Sequence, residues 1–256
     1  MIVVAAICPC PPLLAAELAG QAEVLPELRA ACAAAVARLT AAAPDLIVVA
    51  GADQRTRSWP PDGRLNLAAY APALGHGNTA RGSAGTGDAG APWNPGASRN
   101  TVASRNTGRP VLPLTLGMGA LLLDAAGYQG PRAFHGIDVS APPESCQRLG
   151  AEFAGSAQRV ALLAMGGGSA RRSVAAPGYL DERAGPFDAA VEAAVRDGNL
   201  AALAALDPGL ASELLADGRP AWQALAGAIG EARVRTEVLY CDAPFGVGYL
   251  AATVTP

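Results

Sequence analysis

Val160–Met165 is an unbroken apolar run that passes directly into Gly166, Gly167 and Gly168, followed by Ser169, Ala170, Arg171 and Arg172. A short apolar run with helical neighbours suits a strand buried on both faces of a parallel sheet. Glycines at its carboxyl end let the backbone turn sharply and leave room for a small group to approach. In open α/β sheets that edge is where ligands bind. A flexible turn into the next helix is the plainer reading of the same triplet.

The rest of the chain supports an α/β frame. Residues 2–7 form a second apolar run, closed by Cys8-Pro9-Cys10-Pro11-Pro12. Residues 23–42 place Leu25, Leu28, Cys32, Val36 and Leu39 at helical spacing, and residues 46–50 are apolar again. Strand, helix, strand over this interval predicts a right-handed parallel βαβ unit. Further helices are expected at 115–126, with Gly127 as the C-terminal cap, and at 143–154. A strand is expected at 132–139. Residues 185–229 read as helical, with Asp207-Pro208 as an N-cap and first-turn proline. A terminal hairpin joins 233–241 to 247–254. The predicted fold class is a three-layer α/β/α sandwich with a mostly parallel or mixed central sheet, in a single domain spanning 1–256.

One interval breaks this pattern. Residues 75–110 are rich in Gly, Ser, Asn, Thr and Pro and carry almost no large aliphatic side chains. Such a segment cannot bury enough apolar area to offset its ordering entropy, so it is expected to be a disordered insertion. A surface insertion and an active-site lid are both readings of it.

Composition narrows the function classes. The 19 basic residues are all arginine, scattered over a chain of net charge −3, which gives no basic stripe for nucleic acid. The apolar run near residue 1 lacks a positive leader and is cut by prolines, and no stretch reaches the ~18–20 apolar residues of a membrane span. Five cysteines in a long chain favour reduced thiols, so a cytoplasmic protein is expected.

Candidate chemistry gathers at strand ends: Cys8 with Cys10, Asp53, Ser169 with Arg171 and Arg172, and Cys241 with Asp242. These converge on one cleft if the strands end on one edge. Of the two histidines, His76 lies in the low-complexity interval and His135 within a predicted strand, so a Ser-His-Asp triad has no well-placed base. Cys8 and Cys10 are spaced to share a face of a strand. Zinc binding with Cys241 and Asp242, or simple burial as inert thiols, both account for them.

An ordered set of segments carries a resemblance: CPCPPLL, DLIVVAGA, LLAMGGGSARR, APGYLDERAGPFDAAV and CDAPFGVGYLAATV. Together they resemble the class III extradiol ring-cleavage dioxygenases, the superfamily of the catalytic B subunit of protocatechuate 4,5-dioxygenase, in a branch found in actinobacteria. The resemblance implies an aromatic-ring-opening oxidoreductase with Fe(II) held by two histidines and a carboxylate, and a further histidine as acid/base. It implies a small aromatic or anionic molecule as ligand, with homodimer formation left open. At the matching positions this chain has Cys10 for the first histidine, Ala52 and Asp53 near the second, Ala170 for the acid/base histidine, and Asp242 for the carboxylate. A set of Cys10, Asp53 and Asp242 is softer and more negative than two imidazoles and a carboxylate, and favours zinc over a catalytic ferrous centre.

Two functions follow as expectations. One is a dioxygenase-like enzyme with metal on Cys10, Asp53 and Asp242, and with Ser169 and Arg171 in the catalytic cleft. The other is a pseudoenzyme that binds a small anion with the amides of Gly166, Gly167 and Gly168 and the guanidinium of Arg171. Without metal, Asp242 is expected to pair with Arg171 across the cleft.

Overall fold

The computed structural model describes residues 1–15, 24–67 and 109–256. Among the described residues, all seven strands lie in one sheet: β1 (Ile2–Cys8), β2 (Leu46–Asp53), β3 (Arg57–Trp59), β4 (Arg132–Asp138), β5 (Val160–Met165), β6 (Arg235–Asp242) and β7 (Tyr249–Thr255). Their order across the sheet is β3-β4-β2-β5-β1-β7-β6. The four central strands are parallel, β3 and β7 run antiparallel to their inner neighbours, and β6 closes the far edge as the hairpin partner of β7. The α/β sandwich class is therefore observed, with a mixed sheet. β1 and β2 follow one another in sequence but do not pair; β5 is inserted between them.

Seven α-helices complete the described residues: α1 (Pro26–Ala41), α2 (Leu114–Ala125), α3 (Pro143–Ala154), α4 (Ala184–Arg196), α5 (Leu200–Ala204), α6 (Pro208–Glu213) and α7 (Arg219–Ile229). Alternation along the strands assigns them to layers. Val4, Ala6 and Cys8 of β1, Ile47 and Val49 of β2, and Leu163 and Met165 of β5 share a core with Leu28, Cys32 and Val36 of α1 and Leu116 and Leu123 of α2. The opposite side chains, Ile7, Val48, Leu162 and Ala164, pack on Phe153 of α3, Phe187 and Val191 of α4, and Trp222 and Leu225 of α7. Every residue of β5 is buried, as a strand covered on both faces requires.

Several boundaries differ from expectation for local reasons. α1 starts at Pro26 and not at residue 23, because a proline suits the first helical position and Leu25 before it adopts φ 56°. β2 continues past Ala50 to Asp53, since Gly51, Ala52 and Asp53 pair with Gly136, Ile137 and Asp138 of β4. β3 was not expected. Gly127, at φ 71°, caps α2, and the Asp207 side chain accepts the Leu210 N–H at the start of α6, both as expected. The low-complexity interval lies almost wholly outside the described residues.

Candidate functional site

The parallel strands deliver Cys8, Asp53, Asp138 and Met165 to one edge of the sheet. The β6–β7 hairpin brings Asp242 and Tyr249 to the same edge. The four candidate strand ends thus lie on one edge, but they do not line a single cleft. What the edge does with them differs from the sequence reading.

The glycine loop is closed by its own protein. The amide of Gly166 donates to Cys8 O (3.0 Å), Gly168 to Gly248 O (2.7 Å) and Ala170 to Leu214 O (2.9 Å). The remaining two go to carboxylates: Gly167 N–H to Asp217 Oδ1 at 2.6 Å and Ser169 N–H to Asp188 Oδ1 at 2.8 Å. An anion cradle needs free amides, and here two carboxylates of the chain already occupy it. The anion-binding role expected of Gly166, Gly167 and Gly168 is revised accordingly. Gly168 must still be glycine, because a Cβ there would lie 2.6 Å from Asp188 Oδ1.

Ser169 is fully buried and its Oγ donates to Asp188 Oδ2 at 2.7 Å, so its hydroxyl is not presented to a substrate. Arg172, not Arg171, makes the ion pair of this region, with Nη1 3.1 Å from Asp188 Oδ2. The expected pair of Asp242 and Arg171 is not formed. Asp242 is exposed on β6 and accepts the Ala243 amide at 2.7 Å, while Arg171 Nε is enclosed without a partner. Asp242 borders the same cavity as Gly168, but the carboxylate bonded to the loop there is Asp188 of α4.

The three expected metal ligands remain apart, each with partners of its own. Cys10 is buried and donates its thiol to Asp217 Oδ2 at 3.6 Å. Burial, with Asp217 alongside, pushes that thiol well above its usual range. Asp53 accepts from Gln54 N, Arg57 Nε and Trp59 Nε1, at 2.7, 3.1 and 2.9 Å. Among the described residues, no group of three His, Cys, Asp or Glu side chains is placed to hold a metal ion. The donors present do not fit a ferrous site of two imidazoles and a carboxylate. His135 is in mid-strand, tilted at 45° against Phe153 with ring centroids 4.6 Å apart and bonded to Ser58, and burial lowers its pKa. His76 lies outside the described residues.

Two openings flank the glycine loop. A groove of about 510 Å³ lies outside the ends of β2 and β4, lined by Asp53, Arg57, Trp59, Leu112, Leu114, Val139 and Asp217. Arg57 stacks over Trp59, 3.9 Å from the ring centroid, and Asp53 holds both. Burial raises the Asp217 carboxyl above its ordinary value of 3.8, against the lowering effect of the Gly167 amide and the Cys10 thiol. A smaller cavity of about 170 Å³ lies on the other side, between α4 and the β6–β7 hairpin.

No family model and no curated protein matches the chain. Among solved structures it is similar to an uncharacterized protein from Escherichia coli K12, with a TM-score of 0.55 at 14% identity, over 99% of this chain and 100% of that one. The likeness is one of fold.

Asp188 and Asp217 escaped the sequence reading, and only Asp188 had a signal. Asp188 sits between Phe187 and Val191 on the apolar stripe of α4, where an acid needs a buried partner. Asp217 stands just before Gly218-Arg219-Pro220, a pattern that reads only as a helix start.

Proposed function

We propose that this chain is a small-molecule-binding protein on an extradiol-dioxygenase-like frame, a pseudoenzyme whose ligand is a small aromatic carboxylate. The observation that carries the reading is the brace of Asp53, Arg57 and Trp59 in the groove at the sheet edge. Asp53 takes only Nε of Arg57, and no described residue takes its Nη groups. A guanidinium so held can receive a carboxylate in a two-pronged fashion. Trp59, Leu112, Pro113 and Leu114 supply apolar surface for a ring, and the edge is the usual ligand position in such sheets. Ring opening is not part of the proposal, since Cys10, Asp53 and Asp242 do not assemble a metal site. Five free cysteines, four of them buried, support a cytoplasmic setting. Among the described residues, no helix is long and apolar enough to cross a membrane.

Calorimetric titration with benzoate, 3,4-dihydroxybenzoate and the neutral benzamide tests this. The acids are expected to bind and benzamide to bind more weakly, and Arg57→Gln should cost the acids about tenfold. Equal affinity for benzamide, or an Arg57→Gln variant that binds as well as the parent, would overturn the reading. Anaerobic loading with ferrous ion followed by oxygen and 3,4-dihydroxybenzoate should give no yellow ring-opened product; stoichiometric iron with turnover would restore the enzyme.

A further inference from the structure

The two edges of the sheet are built differently. β3 closes one with three residues, a common way of keeping an edge from pairing with other chains. β6 closes the other with eight, among them neither proline nor lysine. What touches β6 touches its faces: Glu237 meets Arg38 of α1, and the Thr236 hydroxyl donates to Arg196 O of α4. Along its outer side no described residue makes a backbone hydrogen bond, so that edge offers free amides and carbonyls. We propose that two copies of this chain join there, β6 pairing antiparallel with β6 of the second copy about a two-fold axis, so that one sheet runs through both.

The register follows from a bulge. An antiparallel ladder alternates between hydrogen-bonded and non-bonded pairs, and opposite residues share a face of the sheet. Residues paired across a two-fold axis must therefore agree in both face and phase. In a regular strand, residues an odd number of positions apart never agree, and the two ends of β6 could not pair. β6 is irregular between Val238 and Tyr240, where its pairing with β7 skips Leu239. Arg235, Glu237, Tyr240 and Asp242 thus stand opposite Thr255, Thr253, Ala251 and Tyr249, every second residue of β7. Those four share one face and one phase, while Thr236, Val238 and Cys241 share the other. Full overlap of the two strands is then allowed. It sets Arg235 opposite the partner's Asp242, Thr236 opposite the partner's Cys241 and Glu237 opposite the partner's Tyr240, each contact occurring twice.

Charge complementarity selects a second copy over an unrelated strand. Arg235 and Asp242 are both exposed; Arg235 has no partner among the described residues, and Asp242 takes only the Ala243 amide. Opposite charges facing each other across a ladder favour pairing, and like charges oppose it. With the strands fully overlapped, each end of the contact joins a guanidinium to a carboxylate. Sliding one strand by two residues sets Glu237 against the partner's Asp242, two like charges, so the overlapped register is the favoured one.

Sedimentation velocity of the full chain tests this, with dimer expected to grow over about 1–100 μM. Arg235→Glu and Asp242→Arg should each weaken self-association about tenfold, because each sets like charges opposite one another at both ends. Mixing the two variants, or combining both changes in one chain, puts opposite charges back at both contacts and should restore the dimer. That recovery separates a lost interface from a lost fold. Disulfide formation in a Cys241→Ser background reads the register. Opposite residues of an antiparallel ladder lie about 4.5–5.5 Å apart between Cα atoms, within disulfide reach. A chain carrying Arg235→Cys and Asp242→Cys should link to a second copy under oxidised glutathione. Arg235→Cys alone should not, since its two copies sit at opposite ends of the paired strands. A chain that stays monomeric over this range overturns the proposal and leaves the edge to some other partner. A dimer indifferent to both charge reversals, or one that mixing fails to restore, overturns it as well. Equal linking by Arg235→Cys alone would place the contact in another register and has the same force.

Discussion

Replacing Asp188 with alanine removes the acceptor that holds the glycine loop to α4. Ser169 is fully buried, and it gives both its amide and its hydroxyl to the two oxygens of this carboxylate. Each donor stranded in the interior costs about 1–3 kcal/mol. Arg172 adds little, because its side chain is 37% exposed and water can take over. The sum for the two donors is about 2–6 kcal/mol, and water reaching Ser169 from the adjoining cavity favours the low end. Ser169→Ala removes one of the two donors and keeps the other, so it should cost about 1 kcal/mol. The double variant should then fall short of additivity by a similar amount, since the lost hydroxyl can no longer be stranded. Urea unfolding at neutral pH measures all three, with an unchanged denaturant slope as the control for two-state behaviour. An Asp188→Ala variant within about 0.5 kcal/mol of the parent would refute the claim that this carboxylate anchors the loop.

Asp217 should give stability a pH dependence. Its native carboxyl is raised above 3.8, so the folded state holds the proton more tightly, and stability should fall as pH rises from 3.8 through the native value. Asp217→Asn, which keeps an oxygen for the Gly167 amide, should flatten that fall in urea titrations between pH 3 and 7; an unchanged slope would contradict it. Cys241 is exposed, yet burial of its sulfur and the Glu192 carboxylate push its thiol up to about 12. Its alkylation by iodoacetamide at pH 8 should run roughly a hundredfold or more below that of glutathione. Glu192→Gln should accelerate it, and rapid labelling of the parent would show a thiol with an ordinary pKa. Gly150 and Gly227 let α3 and α7 touch backbone to backbone, since a Cβ on Gly150 would sit 1.9 Å from Ala224 O and one on Gly227 2.1 Å from Gln147 O. Either change to alanine should cost about 1–3 kcal/mol in unfolding free energy, and a neutral result would mean that the helices slide apart freely.

The frame was legible because its strands are buried on both faces. Runs such as Val160–Met165 contain nothing that competes with that reading, and the helices between them keep their apolar spacing. β3 escaped because Arg57–Trp59 is too short and too polar to show a pattern, although it builds the groove wall. The candidate site was half legible. Which strand ends meet follows from parallel topology, so Cys10, Asp53 and the glycine loop were placed at one edge. Which carboxylate meets the loop does not follow. Ser169 reaches Asp188 across 19 positions and Gly167 reaches Asp217 across 50, and both partners come from the helical stretch after β5. Local pattern carries no trace of such pairings. The motif points to Asp242, yet it stays exposed with the Ala243 amide as its hydrogen-bond partner.

The insertion of β5 between β1 and β2 governs the order in which the molecule can be made. During synthesis β1 and β2 leave the ribosome before β5, and until residues 160–165 arrive β1 has no parallel neighbour and β2 has only β4. Until then β1 and one side of β2 are open edges, the kind of surface that invites pairing with other nascent chains. The sheet therefore closes late and around a long-range contact, which slows folding compared with a fold of local hairpins. A chain cut before Val160 should expose those edges and aggregate, whereas one cut after Met165 already holds the parallel core. The same late strand that ends in the glycine loop is the one that makes the nascent chain safe to release.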